Sequence, residues 1–314
     1  MKNRALFVDD EPLVLSGLRR MLRSLRHDWE MSFAESGKEA LALMEETGFT
    51  VIISDMRMPE LDGAELLDEV AKRHPAVARL VLSGHAELDA ILRAVRPAHQ
   101  FLAKPCDPKL LESALKRIHH VRLDEQQRAI CQKLGAHRRL PSPIVKIDEL
   151  RAALDETPAD LNRVGEIISG DIAMSIQVLR LVNAAFFGPP TKTFDPKRAV
   201  SILGADILKK LLDEVELFRP VVDGAEGSEE AVINLNAWVG QAALSVAAGA
   251  DVDPCTRTMM SLAGSLAAIE APEPLDCAGE WALSKLLLAF WGLNIKIDRP
   301  AFSVDHPEAV LLGA

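Results

Sequence analysis

The sequence predicts a doubly wound parallel α/β domain followed by an all-α domain. Over residues 1–106, short apolar runs alternate five times with amphipathic stretches of helical period. Successive β-then-α units of that kind demand a parallel sheet with helices on both faces. From Asp107 onward no strand pattern appears, only helical periodicity interrupted by Pro and Gly. The 314 residues suit two domains, at roughly 100–200 residues each.

Ala5-Leu-Phe-Val8 reads as a buried strand running into Asp9-Asp10-Glu11-Pro12. Val14, Leu15, Leu18, Met21, Leu22 and Leu25 then recur at helical spacing. Met31–Ala34 is a weak strand, and Ala40, Leu41, Leu43 and Met44 mark a second helix. Val51-Ile-Ile53 is a strand ending at Asp55, followed by a helix carrying Leu66, Leu67 and Val70. Leu80-Val-Leu82 ends at Ser83-Gly84, before a helix with Ile91, Leu92 and Val95. Phe101-Leu102 gives the fifth strand, ending at Lys104-Pro105. Asp107 suits an N-cap and Pro108 a first helical turn. No Gly or Pro follows before Gly135, so the last helix of this domain is expected to run on as a connector, basic in its second half. Beyond it, breaks at Leu140-Pro-Ser-Pro143, Gly188-Pro-Pro190, Gly224–Ser228 and Ala271–Pro274 separate helices. One helix, capped by Asp171, is expected to extend through Ala185 with Met174, Val178, Leu181 and Val182 on its apolar face. The expected limits are 1–120 for the first domain, 121–139 for the linker and 140–314 for the second domain.

Hydrophobic residues make up 48% and charged residues 26%, the composition of an ordinary folded chain rather than a disordered one. Apolar stretches are too short to span a bilayer, and MKNRALFVDDE does not form a secretory signal. The four cysteines, Cys106, Cys131, Cys255 and Cys277, lack C-x-x-C spacing, so a reducing, cytoplasmic setting is expected. Residues 141–314 hold 14 Lys and Arg against 25 Asp and Glu, a net of −11, while residues 1–140 carry +1. An acidic second half repels phosphate backbones, which argues against a DNA-binding output.

In a parallel sheet, functional groups collect at the carboxyl ends of the strands. Those ends here carry Asp9 and Asp10, Asp55, Ser83 and Lys104. Three carboxylates crowded together are unfavourable unless a cation neutralises them, and oxygen-only ligands favour Mg2+. Lys104 can reach an anion over the pocket, and Ser83 can donate a hydrogen bond to it. The chemistry this suits is phosphoryl transfer onto Asp55.

Residues 3–120 resemble a receiver domain of two-component response regulators, a flavodoxin-like fold. The matching motifs are Val8-Asp9-Asp10-Glu11, Ser54-Asp55-Met56-Arg57-Met58-Pro59 with Asp62-Gly63, Leu82-Ser83-Gly84-His85 and Phe101-Leu102-Ala103-Lys104-Pro105. The resemblance implies Asp55 as phosphoacceptor, Asp9 and Asp10 as metal-binding acids, and the Arg57 backbone carbonyl as a further Mg2+ ligand. It implies Ser83 as switch hydroxyl, Phe101 as rotating aromatic, and a cis Lys104–Pro105 bond. The family often carries Thr at the position of Ser83 and Tyr at that of Phe101.

In the second half, Asp171–Ser175, Leu179–Gly188 and Ala199–Gly204 resemble an HDOD domain, an all-α module related to HD phosphohydrolases but lacking their catalytic residues. The match is good over about 140–218 and thin afterwards, with Trp238 and Trp281–Ile297 resembling later helices. Residues 140–314 contain a single His, His306, and Leu262–Ile269 holds neither His nor Asp, so an HD-type metal site cannot be assembled. Asn183 is expected to cap its helix, and Trp238, Trp281 and Trp291 to pack in a core.

Together these features predict a cytoplasmic response regulator that is not an enzyme. It takes a phosphoryl group from a sensor histidine kinase or phosphotransfer protein and signals through protein contacts of its helical domain. No DNA or membrane partner is expected, and a homodimer is left open. The alternatives are an HD-type cyclic-dinucleotide phosphodiesterase and a transcriptional regulator. The missing ligands and the acidic second half, which has no recognisable helix-turn-helix, weigh against them.

Overall fold

Ala5, Leu6, Phe7 and Val8 are buried without the alternation of a half-exposed strand, as a strand covered on both faces requires. They belong to the first of two compact units in a computed structural model that describes residues 3–84, 88–120, 141–183, 193 and 195–220. The first unit runs β1 (Asn3–Val8), α1 (Pro12–Met21), β2 (Trp29–Ala34), α2 (Gly37–Glu46), β3 (Val51–Asp55), α3 (Gly63–Arg73), β4 (Ala78–Ser83), α4 (Leu88–Val95), β5 (Gln100–Ala103) and α5 (Pro108–His120). All its strand pairs are parallel, in the order β2-β1-β3-β4-β5. The strand order reverses between β1 and β3, so the connections leaving them diverge and open a crevice at their carboxyl ends.

Local chemistry explains where the helices begin. Pro12 pre-sets the first turn of α1, and the Ser36 hydroxyl accepts the Glu39 N–H at the head of α2. At α3, Asp62 accepts from Glu65 N at 2.9 Å while the Glu65 carboxylate accepts from Asp62 N at 3.1 Å, a reciprocal capping box. The expected first helix is shorter than its periodicity: α1 stops at Met21 and a 3-10 turn, Leu22–His27, follows. With three residues per turn, Leu22 and Leu25 eclipse one another, and both are buried. The weak second strand begins earlier than expected, at the buried Trp29. The last helix is present from Pro108 to His120; its expected continuation over 121–139 lies outside the described residues.

The second unit comprises β6 (Pro141–Ser142), α6 (Ile144–Asp155), α7 (Leu161–Ser169), α8 (Ile172–Val182), α9 (Pro196–Asp213) and β7 (Arg219–Pro220). It is helical as expected, except that β6 and β7 form a two-residue parallel ladder. Such a short pairing leaves no periodicity in the sequence. The expected single apolar face of α8 is also too narrow, because every residue from Ile172 to Val182 is buried. The capping aspartate is buried as well, and its Oδ1 accepts from Met174 N and from the Ser142 hydroxyl, each at 2.8 Å. One carboxylate thus ties β6 to the head of the central helix.

That helix ends at Val182 rather than Ala185. Asn183 takes the C-cap, its side-chain amide donating to Leu179 O at 2.9 Å and Thr193 O at 2.7 Å while its carbonyl accepts from Thr193 N. The capping role expected of Asn183 is therefore present, with the helix ending three residues early, and Ala184 and Ala185 lie outside the described residues. In α9, Gly204 has φ 76° and breaks the helical path. A side chain is strained in that region, and glycine is not. Trp238, Trp281, Trp291, His306 and Leu262–Ile269 fall outside the described residues.

Replacing Asp171 by Ala leaves the Ser142 hydroxyl and the Met174 N–H buried without their acceptor. It is expected to cost about 2 kcal/mol, against about 1 kcal/mol for Ser36→Ala at an exposed cap. Urea unfolding of the full chain measures both; equal losses would contradict the special role of the buried cap.

Candidate functional site

Asp9 directly follows β1, is only 1% exposed, and is fixed at both ends. Its N–H donates to Ala34 O at 3.1 Å, and its Oδ1 accepts from Glu11 N at 3.1 Å. Asp55 ends β3, next to β1 in the sheet, and its Oδ2 accepts from Arg57 N at 2.9 Å. Lys104 follows β5. Its Nζ lies 2.7 Å from Asp9 Oδ2 and 2.5 Å from Asp55 Oδ1, so one ammonium joins the ends of three strands. Burial disfavours the Lys104 charge more than any other single influence. The hydrogen bonds and charges of Asp55 and Asp9 together outweigh it, and its pKa is raised.

Close backbone approach shapes the floor of the pocket. Gly63 N donates to Met56 O at 3.0 Å, and a Cβ on Gly63 would stand 2.1 Å from the Asp55 carbonyl oxygen. Only glycine lets α3 begin against the chain that carries Asp55. The Arg93 guanidinium on α4 reaches the cap of α3, 2.7 Å from Asp62 Oδ2.

Of the residues singled out in the sequence, Asp9, Asp55 and Lys104 meet directly. Ser83 ends β4 opposite Ala103 in the register, Phe101 is buried on β5, and the Lys104–Pro105 bond is cis. His85 lies outside the described residues. Asp10, next in the chain, is exposed, whereas Asp9 is buried. Among the described residues, no group of three His, Cys, Asp or Glu side chains is arranged to hold a metal ion. The donor chemistry nevertheless fits Mg2+, since two carboxylates converge on one point and that point already holds a cation. Sequence reasoning missed the cap of α3 as a contact for α4. Asp62 and Arg93 lie 31 residues apart, and no local pattern joins them.

Cys106, two residues past Lys104, has its thiol pushed up to about 11 by burial first and by the Asp107 charge second. At neutral pH it is a thiol, without the reactivity of a thiolate.

A model of the response regulator receiver domain matches residues 5–116, and one of the HDOD domain matches residues 140–270. Sensor kinase CckA of Brucella abortus (strain 2308) is 41% identical over 118 residues, 36% of this chain and 12% of the relative. Transcriptional regulatory protein GlrR of Escherichia coli (strain K12) is 34% identical over 111 residues, 35% of this chain and 24% of the relative. The chain therefore spans well under two thirds of the length of these curated relatives. Among solved structures, the signal receiver domain of an HD domain-containing protein from Pseudomonas fluorescens Pf-5 is 27% identical. It is covered completely by 39% of this chain, with a TM-score of 0.37. The chain thus carries a receiver domain over residues 5–116 and an HDOD domain over residues 140–270.

Lys104→Met removes the charge between Asp9 and Asp55 and is expected to cost about 3 kcal/mol at neutral pH. Addition of Mg2+, or a second change Asp55→Asn, should recover part of that loss; recovery by neither would contradict the charge-balance account. Because folding raises the pKa of Lys104, its contribution is complete below the unfolded value of about 10.4 and is lost as pH rises through the folded value. Melting curves of the wild type and of Lys104→Met should accordingly draw together as pH rises above the unfolded lysine value of about 10.4. Gly63→Ala forces backbone apart and is expected to cost about 3 kcal/mol, with urea unfolding as the measure.

Proposed function

We propose that Asp55 accepts a phosphoryl group from a sensor histidine kinase or phosphotransfer protein, and that the helical domain passes the signal on by protein–protein contact. The observation that carries this reading is the convergence of Asp9 and Asp55 on the Lys104 ammonium at the carboxyl ends of the strands. A carboxylate oxygen of Asp55 bonds to phosphorus as the bond from phosphorus to the donor's leaving atom breaks. Asp9, Asp10, Asp55 and the Arg57 carbonyl would hold Mg2+, which supplies positive charge against the phosphoryl oxygens when bound. Lys104 keeps its proton and turns from the two carboxylates toward the new anion, and Ser83 donates a hydrogen bond to it. Arg57 N, already donating to Asp55 Oδ2, holds the nucleophile in place.

The proposed limits are 1–120 for the receiver, 121–139 for the linker and 140–314 for the output domain. The output is read as noncatalytic because residues 140–314 supply one His, His306, where an HD-type metal site needs several. No helix among the described residues is long and apolar enough to cross a membrane, and a cytoplasmic setting agrees with the kinase-linked role. Phe101 is proposed to couple the pocket to the helix that begins at Pro108. It is buried on β5, three residues before Lys104, and takes up space that Ser83 vacates when it moves toward a phosphate.

Incubation with Mg2+ and a small phosphodonor should label the wild type at one site, and Asp55→Asn should abolish the label. Equal labelling of the two proteins would refute the assignment. The full chain should hold no stoichiometric Mn, Fe or Zn and turn over no cyclic dinucleotide; either result to the contrary would restore the phosphodiesterase reading. Phe101→Ala should leave the labelling intact but weaken the change in hydrogen exchange across residues 107–140 on beryllium fluoride binding. An undiminished change would remove Phe101 from the relay.

A further inference from the structure

The end of α1 and the 3-10 turn that follows it carry Arg19, Arg20, Arg23, Arg26 and His27, all exposed. No Asp or Glu occurs between Glu11 and Asp28. Among the described residues, Arg20, Arg23 and Arg26 form no ion pair. Arginine guanidinium groups gathered without acids repel one another, and an exposed surface gains nothing in stability from them.

This basic rim borders a groove of about 550 Å3 lined by Arg19, Arg26, Trp29, Glu30, Met31 and Phe33. Alternate residues of a strand share a face, so Trp29, Met31 and Phe33 form one apolar floor. Trp29 is buried, while Met31 and Phe33 stay partly open. The Arg19 guanidinium lies 4.4 Å from the Phe33 ring centroid, fixing one wall as a cation held on an aromatic face. Among the described residues Glu30 is the one acid lining the groove, and it is already paired with Arg4 at 3.0 Å. It does not neutralise the rim. Among the described residues β2 is the outermost strand and pairs only with β1, so Met31 and Phe33 lie on a strand edge along which a further strand can pair.

We propose that this groove docks an extended, acidic segment of a partner protein, which adds as a strand along Met31–Ala34 on the outer edge of β2. Its carboxylates face Arg26, which lines the groove, and Arg23, which shares its face one 3-10 turn before, and an apolar side chain rests on Met31 and Phe33. A peptide is favoured over a nucleic acid or an anionic membrane by the strand edge and apolar floor, which only a peptide main chain and side chain use together. The groove lining shares no residue with the phosphoryl pocket. Trp29 pairs with Asn3 at the start of β1, whereas Asp9 follows its end. The proposal therefore does not depend on Asp55 being phosphorylated. Its bland competitor is an edge kept charged only to prevent strand-to-strand aggregation.

The test titrates the full chain into a fluorescein-labelled octapeptide of alternating Glu and Val and follows anisotropy. The same peptide with Lys for Glu, a single-stranded oligonucleotide and phosphatidylserine vesicles are run in parallel. The Glu peptide should bind at least tenfold more tightly than the Lys peptide. It should weaken at least tenfold in R23E/R26E and between about 0.05 and 1 M NaCl, where screening shortens to about 3 Å. Hydrogen exchange at 29–34 should slow on binding. Labelling of Asp55 by a small phosphodonor should be unchanged in R23E/R26E, which reports both the fold and the independence of the two sites; if that variant unfolds, R23Q/R26Q replaces it. Equal binding of the two peptides, an unchanged affinity in the variant, or no protection at 29–34 would overturn the proposal. So would tighter capture of the oligonucleotide or the vesicles, while no binding of any probe would leave edge protection as the role of the arginines.

Discussion

The Lys104 ammonium stands between Asp9 and Asp55, within 2.7 Å of one carboxylate and 2.5 Å of the other. Asp9 and Asp55 end adjacent strands, and both are almost removed from solvent. Two negative charges so placed would drive the carboxyl ends of β1 and β3 apart without a counter-charge. The cation comes from β5, beyond β4 on the far side of β3. The balance of the pocket thus depends on the whole sheet holding its order and register, and the pocket in turn pins three strand ends to one point.

Around that point the backbone is as constrained as the charges. Gly63 must be glycine because α3 starts in contact with the Asp55 carbonyl. The capping box at Asp62 and Glu65 then fixes the direction in which α3 leaves. Arg93 extends the same group of contacts to α4 through Asp62. A charge change at Asp55 is therefore felt first by elements already tied to the pocket, which is the physical basis for a local modification moving a larger part of the domain.

The helical unit is organised around a different constraint, a central helix buried on all sides. A helix of this kind cannot end or begin in water, so its ends need internal partners for their backbone groups. Asp171 supplies one at the N-terminus and Asn183 at the C-terminus, and each reaches across to another segment, Ser142 and Thr193 respectively. The short β6–β7 ladder sits beside the same cap.

Much of the fold and of the site was legible without coordinates. The period of apolar residues fixed the alternation of strands and helices. In a parallel sheet that alternation alone sends Asp9, Asp55, Ser83 and Lys104 to one end, because each follows or ends a strand. The helix starts at Pro108 and after Asp171 were equally local, since a first-turn proline or a cap acts within three residues. Other features needed the tertiary structure, because they join residues far apart in the chain. Only packing decided that Asp10 stays exposed while Asp9 is buried, that Lys104 rests between two particular carboxylates, and that α8 is covered on every side. The groove beside β2 belongs to this second group. Its arginines are visible in the sequence, but the edge they border exists only because β2 ends the sheet.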